Sequence, residues 1–448
     1  MTIRKILFIL IASFFLTSCG NNNKNNINEK LDFKMNKIAE NYVKLVLKVG
    51  QADNNYVDAY YGPADWYPKD NLKTSADTVA LLKQCGSETD SLLDNLESLK
   101  DYKADKLQAL RFRFLYKQLL AVKTEIFMLQ GGSLSFDEES KALYDAVAPS
   151  YGKEHFQKIL NKLNEVLPGT GEISERLDDF NKNFIIPKNK LNSVFEAAIK
   201  ECRRRTLEHI KLPESENFKV EYVTDKPWSA YNWYKGNYFS VIQVNTDLPI
   251  YINRAIELAA HEGYPGHHVY NTLLEEKLVK KNKWMEYTVY PLYSPQSLIA
   301  EGTANFGIQM IFPGNEKIKF EQNVLFPLAG INKDKAEKYE EVQELLQELN
   351  FAGNEAARNY LNKKWNKSEA VKWLEKYCLM SPQRAEQRIK FIKKYRSYVI
   401  NYNLGEEIIK NYIEKNGGTK ENSGKRWDLF KYILTSPQTP SGLINSTL

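Results

Sequence analysis

The chain has 448 residues, with 62 Lys and Arg against 56 Asp and Glu, and a formal net charge of +6. So mild an excess, with Lys and Glu interleaved in helical fashion, leaves no basic stripe and argues against nucleic acid as a partner. Hydrophobic residues make up 43%, enough for one large domain or two lobes, and no Gly/Ser-rich linker divides them.

Residues 1–18 combine a basic start with a continuous apolar run, the pattern of a bacterial secretory signal. Their end, Leu-Thr-Ser followed by Cys19, resembles a lipobox, with cleavage before Cys19 and lipid on that cysteine. The run is too short for a comfortable transmembrane helix, so the expectation is a lipid-anchored protein in contact with the bilayer through Cys19. Residues 19–34 read as a polar, Asn-rich tether with nothing to bury. Gly20 after the cysteine resembles a protein sent on to the outer membrane, so the expected location is the cell envelope, outside the cytoplasm.

From residue 35 to 448 a single catalytic domain is expected. Helical spacing dominates it, in MNKIAENYVKLVLKV (35–49), KLQALRFRFLYKQLLAVKTEIFML (106–129) and NSVFEAAIKECRRRTLEHI (192–210). Strand-like alternation is concentrated in FKVEYV (218–223) and NYFSVIQVN (237–245), with a YKGN turn signal between them. The fold class is therefore mainly α with a small sheet. Cys85, Cys202 and Cys378 follow no zinc-finger spacing and read as buried thiols rather than a disulfide framework. The CRRR run at 202–205 reads as a solvated helix face.

Three of the five histidines fall in HEGYPGHH: His261, His267 and His268, with Glu262 beside the first. This is close to the H-E-x-x-H pattern, in which two helix-borne imidazoles hold zinc and the glutamate is a general base. The second histidine comes late. On a regular helix His261 and His267 would lie about 9 Å apart along the axis and about 120° out of phase, and His268 about 10.5 Å away on the same face. Either pairing needs a distortion, for which Pro265 and Gly266 are suited, and a widened, π-like turn brings a distal histidine back over His261. A His-His pair on a kinked surface helix is the plainer alternative, against which the adjacent Glu262 weighs. A third ligand is expected from Glu301, among the small residues of SLIAEGTANFGIQM (297–310), an expected amphipathic helix after the loop YPLYSPQS (290–297).

HEGYPGHH followed by AEGTANF resembles the bacterial domain-of-unknown-function family 885, with its H-E-x-x-P-G-H-H and later E-G-W-A. That family is similar to the glutamate-zincin metallopeptidases. The resemblance implies a helical zincin with a small antiparallel sheet beside the cleft, whose strand pairs with the substrate backbone. In the thimet-oligopeptidase and dipeptidyl-peptidase III types a glycine precedes the second zinc histidine. By that analogy His267 is the ligand, and His268 faces substrate or a carboxylate behind the metal. Tyr402 and Gly405 match a Y-x-x-G in the closing helices, which makes Tyr402 the candidate for stabilising the oxyanion. Two departures stand out: Thr303 replaces the family tryptophan, and RNYLNKKWNKSEA lacks the Asp and His of the matching family stretch.

The expected function is a zinc peptidase: His261, His267 and Glu301 hold Zn²⁺, Glu262 is the base, and peptides are the substrates. The alternatives are an amide or ester hydrolase of cell-wall fragments, and a non-catalytic, metal-dependent binding lipoprotein.

Overall fold

The computed structural model describes residues 31–69, 72–100, 105–226 and 228–446. The secretory signal, Cys19 and most of the tether lie outside the described residues. What is described is mainly helical, with two small sheets. The helices that matter below are α1 (31–49), α2 (Ser75–Glu97), α3 (Lys106–Leu129), α4 (Leu191–Leu207), α5 (Asn253–Leu258), α6 (His267–Leu274), α7 (Pro295–Ile311), α8 (Phe351–Leu361), α9 (Pro382–Tyr395) and α10 (Ile400–Lys415).

Their ends follow local chemistry. The Asp105 side chain accepts from the Gln108 amide to start α3, and Thr74 with Asp77 forms a capping box at α2. Ser294 caps α7, and Pro295 sits at its first positions, where its missing N–H goes unused. The apolar stripes of most helices meet in a hydrophobic cluster running from Met35 to Leu443, and a smaller second cluster gathers around Phe156, Leu349 and Tyr377. Cys85 and Cys202 are buried free thiols. The 202–205 run is less idle than its charge suggested, since Arg203, Arg204 and Arg205 each pair with a glutamate.

One sheet has the order β2–β4–β3, from β2 (Asn217–Val223), β3 (Ala230–Tyr234) and β4 (Phe239–Asn245). It is mixed, not antiparallel as expected: β3 and β4 form a hairpin around the YKGN turn, while β2 runs parallel to β4. The antiparallel sheet was what the family resemblance implied; β3 (AYNWY) lacks the apolar alternation of β2 and β4, so the strand that makes the sheet mixed is not legible in the sequence. The second sheet is an antiparallel ribbon of β1 (Val57–Tyr60) and β5 (Val289–Pro291), with a bulge between Val57 and Ala59.

α7 is the central helix. Nearly all of its residues are buried, so it is not the amphipathic helix expected: a helix surrounded on all sides needs no polar face. It packs extensively on α10. A Cβ on Gly302 of α7 would come within 2.4 Å of the Gly405 backbone on α10, so two glycines permit this crossing. Ahead of β5, Arg111 of α3 makes a two-pronged bond to Glu286 at 2.6 and 3.0 Å, with both side chains buried. The two parallel bonds offset the burial of both charges, although Arg111 Nη1 is buried without a partner, and the pair fixes the segment leading into α7.

Candidate metal centre

The chain leaves α5 in a π-helical turn over Ala259–Gly263. The Tyr264 amide bonds back to Ala259, and the Gly266 amide to Ala260, at 3.0 and 2.9 Å. These longer reaches take up the extra residues in the motif, and α6 then starts at His267. Gly266 is required there, because a Cβ at that position would lie 1.9 Å from the His261 carbonyl oxygen. Pro265 lodges against Gly307 of α7, where a Cβ would meet its ring at 2.9 Å.

The outcome is a convergence of His261, His267 and Glu301, whose donor atoms all lie within 4.8 Å of one another. The two Nε2 atoms are 3.1 Å apart, and Glu301 Oε2 lies 3.4 Å from His261 Nε2 and 3.8 Å from His267 Nε2. A tetrahedral zinc with bonds of about 2.0–2.1 Å requires donor separations of about 3.3–3.4 Å, inside this range. Glu301 Oε2 is buried with no hydrogen-bond partner, which a cation would supply.

The surrounding groups orient these donors. Asn305, one turn beyond Glu301 on α7, accepts through Oδ1 from His261 Nδ1 at 2.8 Å, leaving the neutral ring's lone pair on Nε2. Asn305 in turn donates to the Tyr402 carbonyl at 2.7 Å. Tyr398 donates to Glu301 Oε1 at 2.8 Å, which turns Oε2 toward the histidines. Burial alone would depress His261, but the nearby carboxylates of Glu301 and Glu262 raise it to about 9. Glu301 is lowered well below the carboxylate range: burial opposes this, and the nearby His261 and His267 outweigh it. The pocket gathers negative charge around a place for a cation. Two histidines and a carboxylate, with His261 and Glu301 oriented from behind, fit zinc.

Glu262 is buried next to His261. Its backbone carbonyl accepts from Asn232 of β3 at 2.6 Å, while its carboxylate makes no hydrogen bond to another described residue. Tyr402 packs edge-on against Tyr398, with ring centroids 5.7 Å apart. Its hydroxyl is raised well above the usual range by burial, with Glu301 and Glu262 adding to the effect.

His268 stands apart from the three donors, and of the two directions expected for it, substrate or a carboxylate, it takes the second, toward Glu216. It is fully buried, with Nδ1 2.9 Å from Ser240 Oγ of β4 and Nε2 3.0 Å from Glu216 Oε2. Successive helical residues point about 100° apart, so with His267 turned to the triad, His268 turns to the sheet. Glu216 also accepts from Tyr264 at 2.7 Å and Arg203 at 2.6 Å. Burial would raise Glu216, but these three bonds lower it. The motif is thus tied to the sheet through Asn232, Ser240 and Glu216.

Asn305, Tyr398, Glu216 and Asp58 were not singled out in the sequence. Asn305 was findable, four residues after Glu301 and so on the same helical face. Asp58 was not, since it sits at the bulge of β1, and bulges re-aim side chains. Burial raises Asp58 to about 7, and the charges of Glu301 and Glu262 add to the shift.

No protein-family model matches the chain, and no curated protein matches it. Among solved structures it is similar to a presumptive lipoprotein from Colwellia psychrerythraea, with a TM-score of 0.50 at 14% identity, over 85% of this chain and 70% of that one. At this identity the likeness concerns the fold.

Proposed function

We propose that the protein is a zinc-dependent hydrolase of the zincin type, acting on peptides. The observation that supports this most is the donor triangle of 3.1, 3.4 and 3.8 Å, with an unpartnered carboxylate oxygen at one corner. Bound zinc supplies a Lewis acid and a water of lowered pKa. Glu262 accepts the proton of the attacking water and hands it to the leaving amine as the C–N bond breaks. Tyr402 donates its hydroxyl to the oxygen that gains charge at the scissile carbonyl. β3, at an edge of its sheet and joined to Glu262 through Asn232, takes an extended peptide by strand addition.

Glu262 favours hydrolysis over simple metal binding, because a purely metal-holding site needs no carboxylate beside its first histidine. The test is Glu262→Gln, assayed with a peptide library and product mass spectrometry. Zinc should stay bound, and turnover should fall by about two to four orders of magnitude. Turnover near wild type with zinc bound would remove Glu262 from the chemistry.

The lipobox-like end at Cys19 and the lipoprotein description of the structural neighbour support a lipid anchor at the cell envelope. No helix among the described residues is long and apolar enough to cross a membrane. Labelled palmitate should enter the wild type and not Cys19→Ser; equal labelling rejects the anchor.

A further inference from the structure

Arg388 lies on α9, and its Nε is buried without a hydrogen-bond partner. Its guanidinium carbon sits 4.9 Å from the Phe391 ring, and its Nη2 is 3.8 Å from where a Cβ on Gly353 of α8 would be. Two arginines more buried than Arg388 hold carboxylates, Arg111 with Glu286 and Arg358 with Glu355 and Asp137, whereas the buried Arg426 reaches only Met310 Sδ among the described residues. No carboxylate offsets Arg388. The groups whose charge it feels are Tyr402 and Cys378, and burial lowers its pKa. Both of those groups are raised by burial and so are neutral at neutral pH. A half-buried guanidinium whose Nε is sealed without a partner, and which no carboxylate pairs among the described residues, is suited to a bound anion.

Its location links it to the metal centre. Gly353 neighbours Asn354, which donates to Asn403 at 3.0 Å, and Asn403 follows Tyr402 on α10. Tyr402 feels Arg388 together with Glu301 and Glu262. Arg388 and the metal triad thus both lie in the neighbourhood of Tyr402. The fork of an arginine matches a carboxylate in two parallel hydrogen bonds. In a linear peptide the α-carboxylate always lies on the amine-leaving side of the bond that is cut.

Resting on the hydrolase reading above, we infer that Arg388 is a specificity-determining residue that binds a carboxylate on the leaving-group side of the substrate, in the first place a free C-terminus. The enzyme is then an exopeptidase that trims from the C-terminal end. Water adds its hydroxyl to the scissile carbonyl carbon, the C–N bond breaks, and the proton carried by Glu262 completes the amine of the released C-terminal piece.

The test uses the zinc-loaded protein with acetyl-tetraalanine as the free acid, the same peptide as its C-terminal amide, and an amide ending in aspartate. Cleavage is followed by mass spectrometry, and binding by calorimetry on the Glu262→Gln protein. The free acid should exceed the plain amide at least about tenfold in kcat/KM and in affinity, the range of a charge-assisted hydrogen bond. Arg388→Gln should bring both ratios to about one at unchanged zinc content, and Arg388→Lys should recover part of the preference, as expected for a retained charge. An aspartate amide as good as the free acid keeps the carboxylate site but assigns it to a side chain. Equal handling of acid and amide by the wild type, or a preference that survives Arg388→Gln, overturns the inference, as does a lack of both binding and cleavage. Binding preference without cleavage rejects the peptidase reading and leaves Arg388 in its role; cleavage without preference does the reverse.

Discussion

At the scale of single residues, the two adjacent histidines divide the work. His267 joins His261 at 3.1 Å, whereas His268 bridges Ser240 and Glu216 in a place closed to solvent. His268→Ala should therefore act on stability. It leaves Ser240 without a partner, takes one of three from Glu216 and opens a cavity, for a loss of about 1–3 kcal/mol in chemical denaturation. Zinc content in the folded protein should stay at the wild-type level, and lost zinc with unchanged stability would move His268 into the metal site. His261 gives a pH dependence. Its pKa of about 9 in the metal-free protein means that a metal must displace a proton below that pH. Apparent zinc affinity should thus rise with pH by about tenfold per unit through the neutral range and level off near the pKa, as one displaced proton requires. A flat profile in zinc titrations would show that His261 binds without giving up a proton.

The π turn at Ala259–Gly263 does at the level of an element what no single ligand does alone: it lets a histidine six positions on return to the first. That need was legible in HEGYPGHH, because the spacing fits no regular helix and Pro-Gly stands inside it. What was not legible is how close the return is. Gly266→Ala would place a methyl 1.9 Å from the His261 carbonyl, so the turn must open and carry His267 away. Zinc affinity should fall by at least about a hundredfold, on the order of 3 kcal/mol. Gly424→Ala, with nothing within 4 Å of the added carbon, should leave it unchanged. Wild-type affinity in Gly266→Ala would mean that the segment has another way to present His267. The same limit applies to α7 and α10. Gly302 was legible as one of the small residues around Glu301 and Gly405 as part of a Y-x-x-G, but only their shared crossing shows why Tyr398 can reach Glu301.

Across the whole molecule, local patterns were readable and tertiary ones were not. α3 appeared in the sequence with its ends at Lys106 and Leu129, because its apolar spacing and Asp105 cap are local signals. β3 was missed, since its residues are set by the neighbours they pack against: Asn232 holds Glu262, and Tyr234 is buried beneath the sheet. α7 was misjudged in its amphipathicity for the same reason, as burial on every side erases periodicity. Asp58 and Arg388 could not be found at all, because a bulge and a helix packing decide where they point. The triad draws on segments 34 residues apart or more in the chain, His267 and Glu301, and it exists only in the folded state. A metal bound there stabilises the fold by mass action, about 2.7 kcal/mol at a hundredfold excess over Kd. The most direct measurement is therefore zinc content by elemental analysis together with Tm, for the wild type and Glu301→Ala. One zinc per chain and a Tm raised by zinc in the wild type, with both lost in Glu301→Ala, is the predicted result; full zinc and an unchanged zinc-dependent Tm in Glu301→Ala would contradict the metal centre described here.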